Sequence, residues 1–438
     1  MLSNSKPHET LSVTDAVAII VGMVVGVGIF KTPSIVAASA DSETMLMLFW
    51  LLGGLASFIG AMCYAELATT YPHAGGDYHY LKKSFGRVPS FLYAWGRMAV
   101  IQTGSIAMVA FLIGDYASEI FRLGPYSTSI YAFLTIVLLT GVNIAGIRQG
   151  KWTQKVLITA ILCGLFIIAL IGIFIAEPQI AANTGKIMPG KVALGTAMIF
   201  VLLTYGGWNE AAFISAEVHE TRRNMVRVLL YSIIIITLIY LLINIALLNG
   251  LGLSGMSASE AVMADLMRGT FGDRGAQFIS LLILLAALST INAAIITGAR
   301  TNYALGQDYP LLKFLGSWQG IRNTPVNALL AQGAIALLLV LLGTQSRDGF
   351  VMMVEYTAPV FWFFLLMVGI SIFILRYKNP EIRRPFIVPL YPLLPFLFCV
   401  ICIFMLYSSI MYTSSGALVG VGVLLTGIPV IILQKRKK

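Results

Sequence analysis

The chain has 438 residues, of which 58% are hydrophobic and 11% charged, with a formal net charge of +10 and a mean hydropathy of +0.87. A soluble domain carries about 25% charged residues, and no soluble fold of this length has interior enough to hide so much apolar surface. The bilayer is the expected solvent, and basic residues at helix ends facing anionic headgroups explain the charge; this argues against a soluble enzyme and a nucleic-acid binder.

A spanning helix needs about 20 apolar residues rising 1.5 Å each. Twelve such runs occur, at 14–38, 45–70, 90–117, 128–147, 154–176, 193–217, 226–249, 277–303, 326–343, 351–375, 388–411 and 413–433. The polar leader MLSNSKPHETLSVTD shows no cleavage pattern, so the first run is expected to stay in the protein. Lys and Arg gather on alternate connections, among them Lys82, Lys83, Arg87, Arg148, Arg222, Arg223, Arg376, Arg383, Arg384 and the KRKK tail. Fewer fall on the other side: Lys31, Arg122, Lys186, Lys191, Arg268, Arg274 and Arg347. The positive-inside bias predicts a multi-pass protein of the inner or plasma membrane with both termini cytoplasmic.

The first and sixth runs differ from the rest. The first contains VGMVVGVGIFKTP, with Gly22, Gly26 and Gly28 ahead of Pro33; the sixth contains LLTYGGWNEAAF, with Gly206 and Gly207 adjacent. Glycine opens a helix at the lowest cost, and an opened helix persists in a membrane only where its freed backbone groups line a cavity. GxxxG-like spacing is also a helix-packing signal. Matched interruptions five helices apart favour the site reading, because they occupy corresponding positions of two inverted halves. The expected architecture is an all-α integral membrane protein of 12 transmembrane helices, with helices 1 and 6 unwound. It divides into a cytoplasmic N-terminus (1–13), a first repeat (14–176), an inverted second repeat (193–375), two C-terminal helices (388–433) and a basic cytoplasmic tail (434–438).

These breaks suit a zwitterion. N–H groups beginning near Gly28 and Ile29 form a positive dipole end for a carboxylate. Carbonyls near Val24 and Val25, with those of Leu203 and Gly206, accept from an ammonium. An α-amino acid is the expected substrate, bound along Val24, Val25, Gly26, Val27, Gly28 and Ile29 and along Leu203, Thr204, Tyr205 and Gly206. A neutral side chain is favoured because no fixed charge is seen to face the pocket.

The motifs resemble a known family. VGMVVGVGIFKTP looks like the first-helix signature of the amino acid–polyamine–organocation superfamily, and LLTYGGWNEAAFISAEVHETRRN is similar to helix six of its L-type amino acid transporters. LAALSTINAAIITGAR, RYKNPEIRRPF and CYAELATTYPHAGGDYHYLKKSFG resemble the same family, in the expected order along essentially the whole chain. The resemblance implies a LeuT-like 5+5 inverted repeat and alternating access. It places the carboxylate on the backbone of Val27 and Gly28, and the amine on the carbonyls of Val24, Leu203 and Gly206. It makes Leu203 part of the outer gate and adds Trp208, Asn209 and Asn292 as signature residues. Two positions depart from the family pattern. Val27 stands where a small residue is usual, and Ile161 stands where many relatives carry a lysine that substitutes for sodium. Lys155, six residues earlier, is expected to snorkel at the inner surface. Exchange, facilitated transport, proton symport and sodium symport therefore stay open, with Ser289 and Thr290 as hydroxyls that sodium would use.

Other residues carry weaker signals. Glu66 and Glu217, at inner helix ends, read as structural or gate pairs with basic loop residues. Asp115 and Glu355 lie near outer ends, where hydration lowers the cost of charge; Glu355 is also a vestibule candidate. Arg97 is expected to reach the inner headgroups, and Trp208 to pack and hold the break. His73 and His79 read as solvated, and Cys63, Cys163, Cys399 and Cys402 as buried core residues. No metal, cofactor, disulfide-linked accessory subunit or nucleic acid is expected; the partners are substrate and lipid, in a monomer or weak homo-oligomer. Gly150-Lys151-Trp152 is not a phosphate-binding loop. A non-transporting amino-acid sensor is the competing class, and it lacks any soluble signalling domain because the longest connection, near 250–276, is short.

Overall fold

The computed structural model describes residues 12–73, 76–146, 151–176, 190–210, 218, 221–319, 324–346, 348–411 and 415–436. Among these the named elements are all helical, and Gln319 and Thr324 form an isolated bridge. The α-helices are α1 (Val13–Val24), α2 (Thr32–Ala38), α3 (Glu43–Thr70), α4 (Gly76–Phe85), α5 (Arg87–Gly96), α6 (Gln102–Ile120), α7 (Ser127–Ile144) and α8 (Lys151–Phe174). They continue with α9 (Gly190–Thr204), α10 (Thr221–Ala258), α11 (Val262–Asp308), α12 (Val326–Gly343), α13 (Gly349–Lys378), α14 (Leu393–Met411), α15 (Ser415–Leu425) and α16 (Gly427–Arg436). Among the described residues, nine helical stretches are long and apolar enough to cross a membrane. The runs read at 14–38, 154–176 and 193–217 fall on α1–α2, α8 and α9, whose described apolar helices are shorter or interrupted. The protein is thus a multi-pass helical membrane protein.

Local chemistry starts the long helices. Ser42 Oγ accepts from Met45 N at 3.2 Å to cap α3, and Asp348 Oδ1 accepts from Val351 N at 3.1 Å to cap α13, each satisfying one orphan amide of a first turn. Small residues then allow close crossing, as lipid-embedded helices require. A Cβ on Gly172 of α8 would lie 2.5 Å from Ala246 O of α10, and one on Gly114 of α6 would lie 2.1 Å from Thr128 O of α7. The stretch near 250–276, read as a connection, is instead helical. It turns at Gly252 (φ 66°) and Gly272 (φ 67°) and buries Met256, Met263 and Leu266.

Charge clusters tie both ends of the bundle. At one end Glu66 accepts from Arg376 Nε at 2.8 Å and Nη2 at 2.6 Å, and from Val388 N at 2.8 Å, with Arg384 Nε at 3.6 Å. Glu66 is thus a structural pair, while Glu217 lies outside the described residues, as does the Lys155 side chain. At the other end Lys31 is only 4% exposed. Its ammonium reaches Asp115 at 2.9 Å, Asp348 at 3.4 Å and the Glu260 carbonyl at 3.2 Å. This corrects two sequence expectations. Lys31 is buried rather than in an outer connection, and Asp115 is stabilised by that ammonium and by Thr128 Oγ1 at 3.2 Å rather than by hydration. Cys163 is also a correction: it is exposed, whereas Cys63, Cys399 and Cys402 are buried. Its neighbours Phe166 and Ile167 are exposed too, so this face of α8 is an apolar surface of the kind lipid covers.

Candidate functional site

Two interruptions meet near the centre of the bundle. α1 runs through Gly22 and ends at Val24, and the extended Gly26 (φ −97°, ψ −152°) leads into a 3-10 turn over Val27–Phe30. The amides that open such a turn have no partner within it. The far end of the turn is held, because Tyr116 OH donates to Phe30 O at 2.8 Å. α9 ends at Thr204, Gly206 N donates to Leu203 O at 2.9 Å, and a second 3-10 turn spans Trp208–Glu210. Gly207 sits at φ +109°, a conformation that penalises any side chain, so a glycine at this position is what the bend demands.

The interruptions touch. A Cβ on Gly28 would stand 3.0 Å from Thr204 Oγ1 and 3.3 Å from Thr204 Cα. Thr204 Oγ1 is 2.8 Å from Thr32 Oγ1. Tyr240 of α10 sits behind both breaks, its hydroxyl 2.9 Å from Val24 O and 2.9 Å from Thr204 O. Its single proton serves one carbonyl at a time. Val24 O also accepts from Gly26 N at 2.7 Å, so its capacity for a ligand opens when Tyr240 turns to Thr204 O. Tyr240 is absent from the sequence reading because nothing in its local pattern marks it.

A cavity of about 250 Å³ lies between the breaks and the helices facing them. Val24, Gly26, Val27, Gly28, Leu203, Thr204, Gly206 and Asn209 line one side. Polar Arg97, Gln102, Ser105, Thr290, Thr357 and Glu210 are part of the rest of the lining, with apolar Ile101, Met108, Val109, Ala294, Phe350 and Phe361 among them. Val25, Ile29 and Tyr205 belong to the packed core instead. Tyr205 OH donates to Trp50 O at 3.0 Å, and its ring meets those of Trp50 and Tyr240. Trp208 packs edge-on against Tyr64, ring centres 5.1 Å apart, and borders a separate small void with Phe398.

The coupling candidates disperse. Thr290 lines the cavity, whereas buried Ser289 does not. Asn292 Oδ1 accepts from Asn143 Nδ2 at 2.6 Å, joining α11 to α7. Ile161 packs against the core from α8. Glu355, on α13, faces the start of α15, where a Cβ on Gly416 would lie 3.1 Å from its own Cβ. His73 and His79 stack 4.0 Å apart. Burial, then the neighbouring His73, lowers His79 to about 4. Among the described residues no cluster of His, Cys, Asp or Glu has the makings of a metal site.

The charged feature of the cavity is a correction. Arg97 does not reach for headgroups: its Nη1 and Nη2 donate to Glu210 Oε1 and Oε2, both at 3.1 Å, and Nη1 also donates to Tyr93 OH at 3.2 Å. Fixed charge therefore does face the pocket, as a matched bidentate pair. Arg97 opens a π-helical segment, Arg97–Ile101, a distortion frequent at functional sites. The signal available in sequence was two opposite charges inside apolar runs; their pairing was not visible. Tyr93 OH continues to Asp77 Oδ2 at 3.3 Å. Asp77, on the short α4 outside the spans, is pushed up to about 7 by burial first and the Glu210 carboxylate second. Arg97 and Tyr93 also border a second cavity of about 330 Å³, lined by Tyr78, Arg300, Asp308 and Tyr309.

A polytopic helical membrane protein with a central cavity between two broken helices has the layout of a solute carrier. The model of the amino acid permease family matches residues 11–433, and the chain belongs to that family. It is similar to the b(0,+)-type amino acid transporter 1 of Mus musculus, 27% identical over 421 residues, covering 93% of this chain and 84% of the relative. It is also similar to the large neutral amino acids transporter small subunit 2 of Homo sapiens, 29% identical over 442 residues, covering 97% and 80%. These relatives are named as transporters, not enzymes, and this chain is a membrane transporter of amino acids.

Proposed function

We propose that the chain moves neutral L-α-amino acids by alternating access, as an exchanger or secondary transporter. The observation that carries this reading is the cavity bounded by the backbone of both breaks. Amides at Val27 and Gly28 would receive the carboxylate. The ammonium would be held by Leu203 O, which has one donor in Gly206 N, by the Gly206 carbonyl, and by Val24 O when Tyr240 releases it. Leu203 lies on this cavity as a gate candidate.

The architecture that goes with it is a LeuT-like 5+5 inverted repeat of twelve spans, 14–176 against 193–375, with 388–433 as two further helices. α1–α2, α8 and α9 would supply the first, fifth and sixth spans. The chain would lie in the cell membrane with both termini cytoplasmic, as a monomer or weak homo-oligomer without a disulfide-linked accessory subunit. Amino acids and lipid are its partners.

The test is uptake of radiolabelled amino acids into proteoliposomes by Gly28→Val and Gly206→Val. A Cβ at Gly206 would sit 2.8 Å from Leu203 O, and one at Gly28 would press on Thr204. Uptake is expected to fall at least about tenfold, the effect of roughly 1.4 kcal/mol at the rate-limiting step, in protein that still inserts and elutes as a single peak. Normal uptake by both variants would remove the breaks from the site.

A further inference from the structure

The wall of the cavity opposite the breaks has a one-sided hydrogen-bonding character. Gln102 Nε2 gives one of its two protons to Ala294 O at 2.9 Å, leaving its carbonyl oxygen and one amide proton for a ligand. Ser105 Oγ donates to Ile101 O at 2.8 Å, Thr290 Oγ1 to Ala286 O at 3.1 Å, and Thr357 Oγ1 to Met353 O at 3.0 Å. A hydroxyl has one proton and two lone pairs. Each of these three has its proton engaged by its own helix and keeps lone pairs for a ligand. Arg97 turns its guanidinium to Glu210 and Tyr93. Among the apolar side chains of Ile101, Met108, Val109, Phe350 and Phe361, the polar groups this wall offers a ligand are therefore mainly acceptors. The charge of Glu210 is matched by Arg97, so the wall calls for donors without calling for a cation.

We infer that the side-chain end of this site selects amino acids whose uncharged side chain donates hydrogen bonds, namely amides and alcohols, over apolar side chains of the same shape. The inference rests on the reading of this cavity as the amino-acid site. Its physical basis is an asymmetry. An apolar isostere gains its burial but leaves the oxygens of Gln102, Ser105, Thr290 and Thr357 stripped of water and without a donor. Three near-isosteric pairs isolate that term: threonine and valine, asparagine and leucine, glutamine and methionine.

The experiment is competition against the best-transported labelled amino acid in proteoliposomes of the intact chain, using those three pairs with lysine and glutamate. Each donor-bearing member is expected to inhibit at about a tenfold lower concentration than its partner, the effect of one to two neutral hydrogen bonds. Thr357→Val and Thr290→Val should each narrow the threonine-to-valine ratio by threefold or more. The inference is overturned if valine, leucine and methionine compete as well as or better than their partners. It is equally overturned if lysine competes best, or if both variants keep the wild-type ratio. Should either variant fail to insert, the wild-type panel decides alone. Absence of uptake for every amino acid tried would instead overturn the parent reading of the cavity, which separates the two failures.

Discussion

Glu66 is the clearest place to test the architecture. Its carboxylate is 4% exposed and joins α3 to the end of α13 and to the segment beyond it. Glu66→Ala would remove two short charge-assisted bonds from Arg376 and the acceptor for Val388 N. It would leave a guanidinium that is only 19% exposed and is held 3.6 Å from the centre of the Tyr391 ring. Breaking a buried pair from one side costs about 3–5 kcal/mol. Arg376 retains some access to water, which places the expected loss near 3 kcal/mol, or on the order of 5 °C for a chain of this size. The assay is the fraction of monodisperse protein surviving a ten-minute heat step in detergent, followed by size exclusion. Glu66→Gln keeps an acceptor for Val388 N but not the charge, and should fall between wild type and Glu66→Ala. In a double-mutant cycle with Arg376→Ala, the two losses should couple by about 1 kcal/mol or more. An alanine variant within 1 °C of wild type, or strictly additive losses, would refute the role assigned to this cluster.

Two further predictions use the same assay. Lys31→Met strands Asp115, whose side chain is 13% exposed, and should lower survival by the equivalent of about 3 kcal/mol; adding Asp115→Asn should recover more than half of it. Asp77 gives a pH signature. Its carboxyl is raised from an ordinary 3.8 to about 7, so the folded protein holds this proton more tightly than the unfolded chain. The associated stability is full below about pH 4 and is lost as pH rises through about 7. The gap corresponds to about 4 kcal/mol at 1.36 kcal/mol per pH unit. Asp77→Asn should flatten the decline in survival between pH 5 and pH 8; an unchanged profile would show that Asp77 does not titrate there.

The linear order of residues settled the class of molecule and the position of its breaks. Apolar content fixes the solvent, because hydropathy is a local sum that needs no knowledge of neighbours. Gly26, Gly28, Gly206 and Gly207 fix where a helix opens, because the tolerance of a missing Cβ is also local. The motifs around VGMVVGVGIFKTP and LLTYGGWNEAAF carried the family for the same reason. The tertiary structure alone decided which charges meet. Arg97 and Glu210 are 113 residues apart, Lys31 and Asp115 are 84 apart, and Glu66 and Arg376 are 310 apart. Each pair depends on the rotation of two helices about their axes, which apolar runs of nearly uniform composition do not encode. Cys163 shows the same limit, since a run that is apolar all round does not reveal which face meets lipid. Tyr240 shows it most plainly: an ordinary tyrosine in an apolar run becomes the shared donor to Val24 O and Thr204 O only because α10 packs behind both breaks.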